Sequence, residues 1–138
     1  MTVERINPEE LARPSGFSHA VSVTESPGPA GRMVFLAGQI GVDRNGKVAD
    51  GVVPQFEQAL GNLLTALAAA GGQPAHLVSV TIYLLDVEDY QAHGKEIGAV
   101  WRRLAGAEYP AMAGVGVARL WNPAALVEIQ GIAVVSPS

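Results

Sequence analysis

The stretch Glu108–Val135, EYPAMAGVGVARLWNPAALVEIQGIAVV, decides how the rest of the chain is read. It breaks at Trp121-Asn122-Pro123 into two apolar runs, Ala111–Leu120 and Ala125–Val135, each with strand character. The first run is nearly bare. Ala111, Ala113, Gly114, Gly116 and Ala118 leave Met112 as the one long side chain, and Arg119 brings the only charge. The second run is apolar apart from Glu128 and Gln130, which stand two residues apart and so share one strand face. A chain ending in two such strands predicts a sheet, and what precedes them must supply the partner strands and a cover.

Working outward, LVSVTIYLL (Leu77–Leu85) alternates β-branched residues and reads as a third strand. Between it and Ala111, the segment Asp86–Gly106 reads as an amphipathic helix, with Tyr90, Ile97, Trp101 and Leu104 on one side; Gly94 and Gly98 weaken it locally. Val52–Ala70 has the same period, with Phe56, Leu60, Leu63, Leu64 and Leu67 on one face. Asp50 is its expected N-cap, Pro54 suits its first turn, and Gly71-Gly72 ends it. Upstream, His19–Val23 and Arg32–Val42 read as strands. ESPGPAGR (Glu25–Arg32) is the turn between them, and Asn45-Gly46 signals a hairpin after the second.

The order is β-β-(β)-α-β-α-β-β, which two helices laid on one face of a mixed sheet would satisfy. Leu36, Ile40, Ile82, Leu84, Val115 and Val117 cannot all lie under two helices. An apolar sheet face is therefore left over, and packing against further copies of the chain is the expected cover.

Bulk properties bound the function. The 138 residues suit one domain spanning 1–138; 49% are hydrophobic and 16% charged, enough to pack a core. A formal charge of −4 with no basic block argues against nucleic acid and against anionic membranes. There is no cysteine, hence no disulfide, thiol nucleophile or thiolate metal site. No apolar segment resembles a secretory signal or reaches the ~18 residues of a membrane span, so a cytoplasmic protein is expected.

Most motifs dissolve on inspection. GVDRNGKV (Gly41–Val48) approaches a phosphate-binding loop but ends in valine with no helix directly after it, and a hairpin turn explains it better. GVGVAR (Gly114–Arg119) lacks the third glycine of a dinucleotide fingerprint. His19, His76 and His93 have no metal-ligand spacing. Asp89 and His93, four apart on a helix, read as a solvated face. Glu128 is different: an acid inside an apolar strand is solvated at an edge, paired or functional. Partial burial would raise its pKa toward the range where it can handle protons. Arg119 is its expected charge partner, and a structural ion pair between them is the plain alternative to a functional role.

GFSHAV (Gly16–Val21), VFLAGQIGVD (Val34–Asp43), VSVTIYLLDVEDY (Val78–Tyr90), YPAMAGVGVARL (Tyr109–Leu120) and VEIQGIAVV (Val127–Val135) together resemble the RidA/YjgF (Rid) family over nearly the whole chain. The resemblance implies a chorismate-mutase-like α/β (α+β) fold, a mostly antiparallel sheet backed by two helices, and a homotrimer whose sheets form a central barrel. It implies hydrolysis of reactive enamines and imines, such as 2-aminoacrylate, to keto acids and ammonia without metal or organic cofactor. The site would be a small-molecule cleft between neighbouring subunits.

Carried over by position, Glu128 matches the acid that positions or activates water, and Gly38, after Ala37, the glycine of the pocket-lining strand. Phe17 stands where deaminases commonly have tyrosine, and Gly114 where a small residue lies near the substrate. Met112 departs: Pro110-Ala111-Met112 replaces a Pro-Ala-Arg motif whose arginine grips the substrate carboxylate in a two-pronged contact, and methionine offers neither donor nor charge. Arg119 lies seven residues on, which in a continuous strand puts it on the opposite face. Relatives also carry an arginine there, so it does not look like a substitute. Two functions stay open: a deaminase with an atypical substrate, and a trimeric non-catalytic small-molecule binder or accessory protein.

Overall fold

The computed structural model describes residues 1–25 and 31–136. Its strands are β1 (Thr2–Ile6), β2 (Ala20–Thr24), β3 (Arg32–Ile40), β4 (Leu77–Leu84), β5 (Ala111–Gly116) and β6 (Val127–Val135). They form one sheet in the order β1-β2-β3-β6-β4-β5, antiparallel throughout except for the parallel pair β4–β5. The helices are α1 (Val52–Ala69), α2 (Val87–Ala92) and α3 (Gly94–Ala105), with a 3₁₀ turn at Pro74–His76 before β4.

The two predicted helices form, but the second is cut at His93, where Gly94 follows, into α2 and α3. Asp86 caps α2 by accepting from the Asp89 N–H at 3.0 Å. Asp50 does not cap α1. Gly51 holds the N-cap position at φ 93°, a conformation that suits glycine, and no side chain bonds there. The Asn45-Gly46 turn forms, with Val42 bridging Val48 and the Asp43 carboxylate accepting from the N–H groups of Asn45 and Lys47. The predicted Glu25–Arg32 turn falls largely on residues 26–30, outside the described residues. Among the described residues, no helix is long and apolar enough to cross a membrane.

The core lies between α1, α3 and one face of the sheet. Phe56, Leu60, Leu63 and Leu67 of α1 meet Val34, Leu36, Val80 and Ile129, and Ile97, Val100 and Trp101 of α3 extend the cover. Fully burying each such side chain is worth ~1.5–3 kcal/mol.

Alternation along β6 is strict: Val127, Ile129, Gly131, Ala133 and Val135 are buried, while the residues between them are not. The expected leftover face exists. Leu36, Ile82 and Leu84 lie under the helices, whereas Ile40 and Val115, in register with Glu128 and Tyr83, fall on the open face, which also carries Met33, Phe35, Ile132 and Val134. Both faces of these strands are apolar, so composition could not say which residues pointed which way.

Candidate functional site

The site begins at an irregularity in β3. Leu36 pairs with Gly131 and Gln39 with Ile129, so Ala37 and Gly38 stand against Gln130 alone. This two-against-one bulge keeps Leu36 and Gln39 on the buried face although they are three residues apart. Glu128, on the open face of β6, fits its carboxyl against the bulge. A Cβ built on Gly38 would lie 2.9 Å from Glu128 Cδ and closer still to Oε2.

The loop between β1 and β2 forms one wall. His19 is buried; its N–H donates to Asn7 Oδ1 at 2.8 Å, closing the loop on itself. The Gln39 amide lies 2.9 Å from His19 Nδ1, and Nε2 lies 2.8 Å from the Ala12 carbonyl. With Gln39 donating to Nδ1, the ring proton sits on Nε2 and is given to Ala12. This chain of bonds ties the bulge to the segment that carries Arg13 and Phe17. Phe17 stands edge-on to His19, 5.2 Å between ring centroids, and is 51% exposed.

Gln55 of α1 anchors the opposite wall. Its amide donates to the carbonyls of Ala49 (3.0 Å) and Ala124 (3.1 Å) and accepts from the Leu126 N–H at 2.7 Å. These bonds fix the end of the β5–β6 connection, where Asn122 Oδ1 accepts from Ala124 N–H and Trp121 stands 99% exposed.

The result is a cavity of about 390 Å³. Of the residues expected at a site, Phe17, Ala37, Gly38 and Glu128 line it; so do Arg13, His19, Gln39 and Trp121. Burial pushes the Glu128 carboxyl above its usual pKa. A half-buried carboxylate of raised basicity in a mostly apolar cavity can orient a water molecule and accept its proton.

Met112, Gly114 and Arg119 lie elsewhere in the same chain. Met112 pairs with Val80 and Gly114 with Ile82, which places both on the helix-covered face, opposite Glu128 and two strands away. Met112 is 41% exposed and lines a separate cavity of about 230 Å³ with Tyr90, Trp101 and Tyr109. Trp101 stacks on Tyr109 there, and burial pushes the Tyr90 phenol up to about 12.

Arg119 is not on a strand. The strand expected to run to Leu120 stops at Gly116, so Arg119 is in the exposed connection, where strand alternation does not set its direction. It makes no ion pair with Glu128. The ion pairs among the described residues are His93–Asp89 at 3.3 Å and Arg103–Glu57 at 2.7 Å, both on exposed helix surface. Among the described residues no group of three His, Asp or Glu side chains is placed to hold a metal ion.

Arg13, His19, Gln39, Gln55 and Trp121 were not legible as site residues. The one signal for Gln55 was an amide set beside the apolar stripe of α1.

Over residues 9–135 the chain matches the endoribonuclease L-PSP family. It belongs to this family, the RidA/YjgF family. It is 33% identical over 133 residues to a RutC family protein of Pyrococcus horikoshii, covering 94% of this chain and 96% of that one. It is 35% identical over 108 residues to the 2-iminobutanoate/2-iminopropanoate deaminase of Capra hircus, covering 77% and 75%. Among solved structures, the E. coli YjgF gene product superposes with a TM-score of 0.79 at 28% identity, over 95% of this chain and 98% of that one. The fold of this RidA/YjgF member is thus the mixed α+β fold of its relatives, including E. coli TdcF with bound serine, at TM-score 0.78 and 26% identity over 96% and 99%.

Proposed function

We propose that this RidA/YjgF protein is a cytoplasmic, cofactor-independent hydrolase of an imine, or of an enamine after tautomerisation to the imine. Water adds to the C=N carbon to give a carbinolamine, which expels ammonia and leaves the carbonyl. Glu128 accepts the proton of the attacking water and returns a proton to the departing nitrogen. The observation that carries this reading is the Glu128 carboxyl, half-buried and fitted against Gly38 in an apolar cavity. Relatives named as imine deaminases support it.

Assembly belongs to the proposal. The cavities at Glu128 and at Met112 lie on opposite faces of one chain, so a homotrimer that brings one copy's Glu128 beside the next copy's Met112 makes a cleft between subunits. The open apolar face at Met33, Phe35 and Val134 supports such packing. Met112 in place of an arginine sets this member apart in specificity: the short carboxylated imines have no grip at that position. The family description names an endoribonuclease, but a charge of −4 and a cavity lined by one arginine lack the basic track that a phosphate backbone needs.

The test is ammonia release from imines generated in situ, including 2-aminoacrylate, by wild type and Glu128→Gln. Turnover above buffer that is lost in the variant is expected; an unchanged rate in the variant overturns the role of Glu128. The absent arginine favours a second reading, a trimeric small-molecule binder without turnover, which hydrolysis of any imine would exclude.

A further inference from the structure

The Glu128 cavity has a cation of its own. Among its lining residues, only Arg13 and Glu128 carry full charges. The two do not form an ion pair, and Arg13 pairs with no other acid among the described residues. The adjoining cleft, which Arg13 also borders, is lined by Glu9 and Arg44 as well; neither of them pairs with Arg13, so its guanidinium is left to a ligand. Among the described residues, no other arginine lines this cavity: Arg103 holds Glu57, Arg32 donates to Ser22 and to the Ala70 carbonyl, and Arg44 and Arg119 border neighbouring depressions.

Arg13 is held at the rim by its backbone. Its predecessor Ala12 accepts from His19 Nε2, within the bond chain that runs on to Gln39 in the β3 bulge. Its successor is Pro14, which restricts Arg13 to extended conformations. The side chain is exposed, so its five N–H donors are available to a ligand. Phe17 and Trp121 give the same cavity two large exposed aromatic surfaces.

We infer that Arg13 is the anion anchor of this site, taking a carboxylate carried by a ligand whose apolar or aromatic body lies against Phe17 and Trp121. The ligand class is an arylated or long-chain 2-imino acid, and the 2-keto acid that its deamination leaves. The contact replaces in kind, at another place in the cleft, the grip that Met112 cannot supply. The identity of the reacting group rests on the hydrolase reading above; the binding of the carboxylate does not.

The probe is phenylpyruvate, compared with its methyl ester by titration calorimetry on the full chain. Wild type is expected to bind the acid more tightly than the ester. Arg13→Gln lowers affinity for the acid about tenfold or more and leaves the ester unchanged; Arg13→Lys falls between. Trp121→Ala weakens acid and ester alike. In hydrolysis of the imine of phenylpyruvate, Arg13→Gln raises KM with kcat held within about twofold. Equal wild-type affinity for acid and ester, an unchanged acid affinity in Arg13→Gln, or no binding of the acid at millimolar concentration overturns the inference. Loss of acid affinity in Arg13→Gln without hydrolysis of any imine upholds Arg13 and overturns the hydrolase reading. Hydrolysis with an unchanged KM in Arg13→Gln does the reverse.

Discussion

Glu128 occupies the space that a side chain at position 38 would need: a Cβ on Gly38 lies 2.9 Å from Glu128 Cδ. Gly38→Ala therefore forces the carboxyl out of its seat. Overpacking of this kind costs about 1–3 kcal/mol, and hydrolysis should fall with it. Gly114→Ala is the control, because its Cβ would meet only Leu84 Cδ1, at 4.0 Å. Its stability should stay within about 0.5 kcal/mol of wild type. Urea denaturation of both variants, paired with ammonia release, separates the two effects.

The raised pKa of Glu128 sets two pH dependences. In the folded chain the proton is held more tightly than in the unfolded chain, whose value is near 4.5. The stabilisation from the protonated form is then full below pH 4.5 and lost as pH rises through the folded pKa. Glu128→Gln should flatten the wild-type fall in melting temperature over that window. Hydrolysis should run the other way, rising as the carboxyl ionises, with an inflection above 4.5 that the variant lacks.

Gln55→Leu removes three hydrogen bonds at once and leaves the Ala49 and Ala124 carbonyls and the Leu126 N–H without their partner. At ~1 kcal/mol each, the loss should be about 2–4 kcal/mol by chemical denaturation. The wall that carries Trp121 should loosen with it, visible as faster amide exchange at Leu126.

Phe35 stands 41% exposed on the open sheet face and lines neither cavity. Phe35→Glu places a charge where copies of the chain are proposed to pack. Light scattering should report a trimer for wild type and a monomer for the variant. A variant that remains trimeric would mean that this face is not the interface.

Much of the architecture was open to inspection because long periodic segments carry their own signal. The apolar stripe of α1 and the alternating β4 needed no tertiary information. β1 carries no strand signal, because TVERI holds two charges in five residues, tolerable only at the sheet edge where it lies. The end of β5 is not legible, because apolarity continues through Val117 and Leu120 after its ladder has ended. At the site, family motifs pointed to Phe17, Gly38 and Glu128, which one cavity brings together. Arg13 and Trp121 lie on loops, where neither period nor composition says what a side chain faces. Distances between loops arise only when Gln55 and His19 tie those loops down.

The β3 bulge also has a meaning in chain length. Leu36 and Gln39 would keep their partners Gly131 and Ile129 if one of the two residues between them were deleted, because a regular ladder needs one residue there. Removing Gly38 would thus leave the hydrophobic core and the strand order as they are. It would erase only the recess that receives Glu128. The sheet can be built with one residue fewer; the cavity cannot.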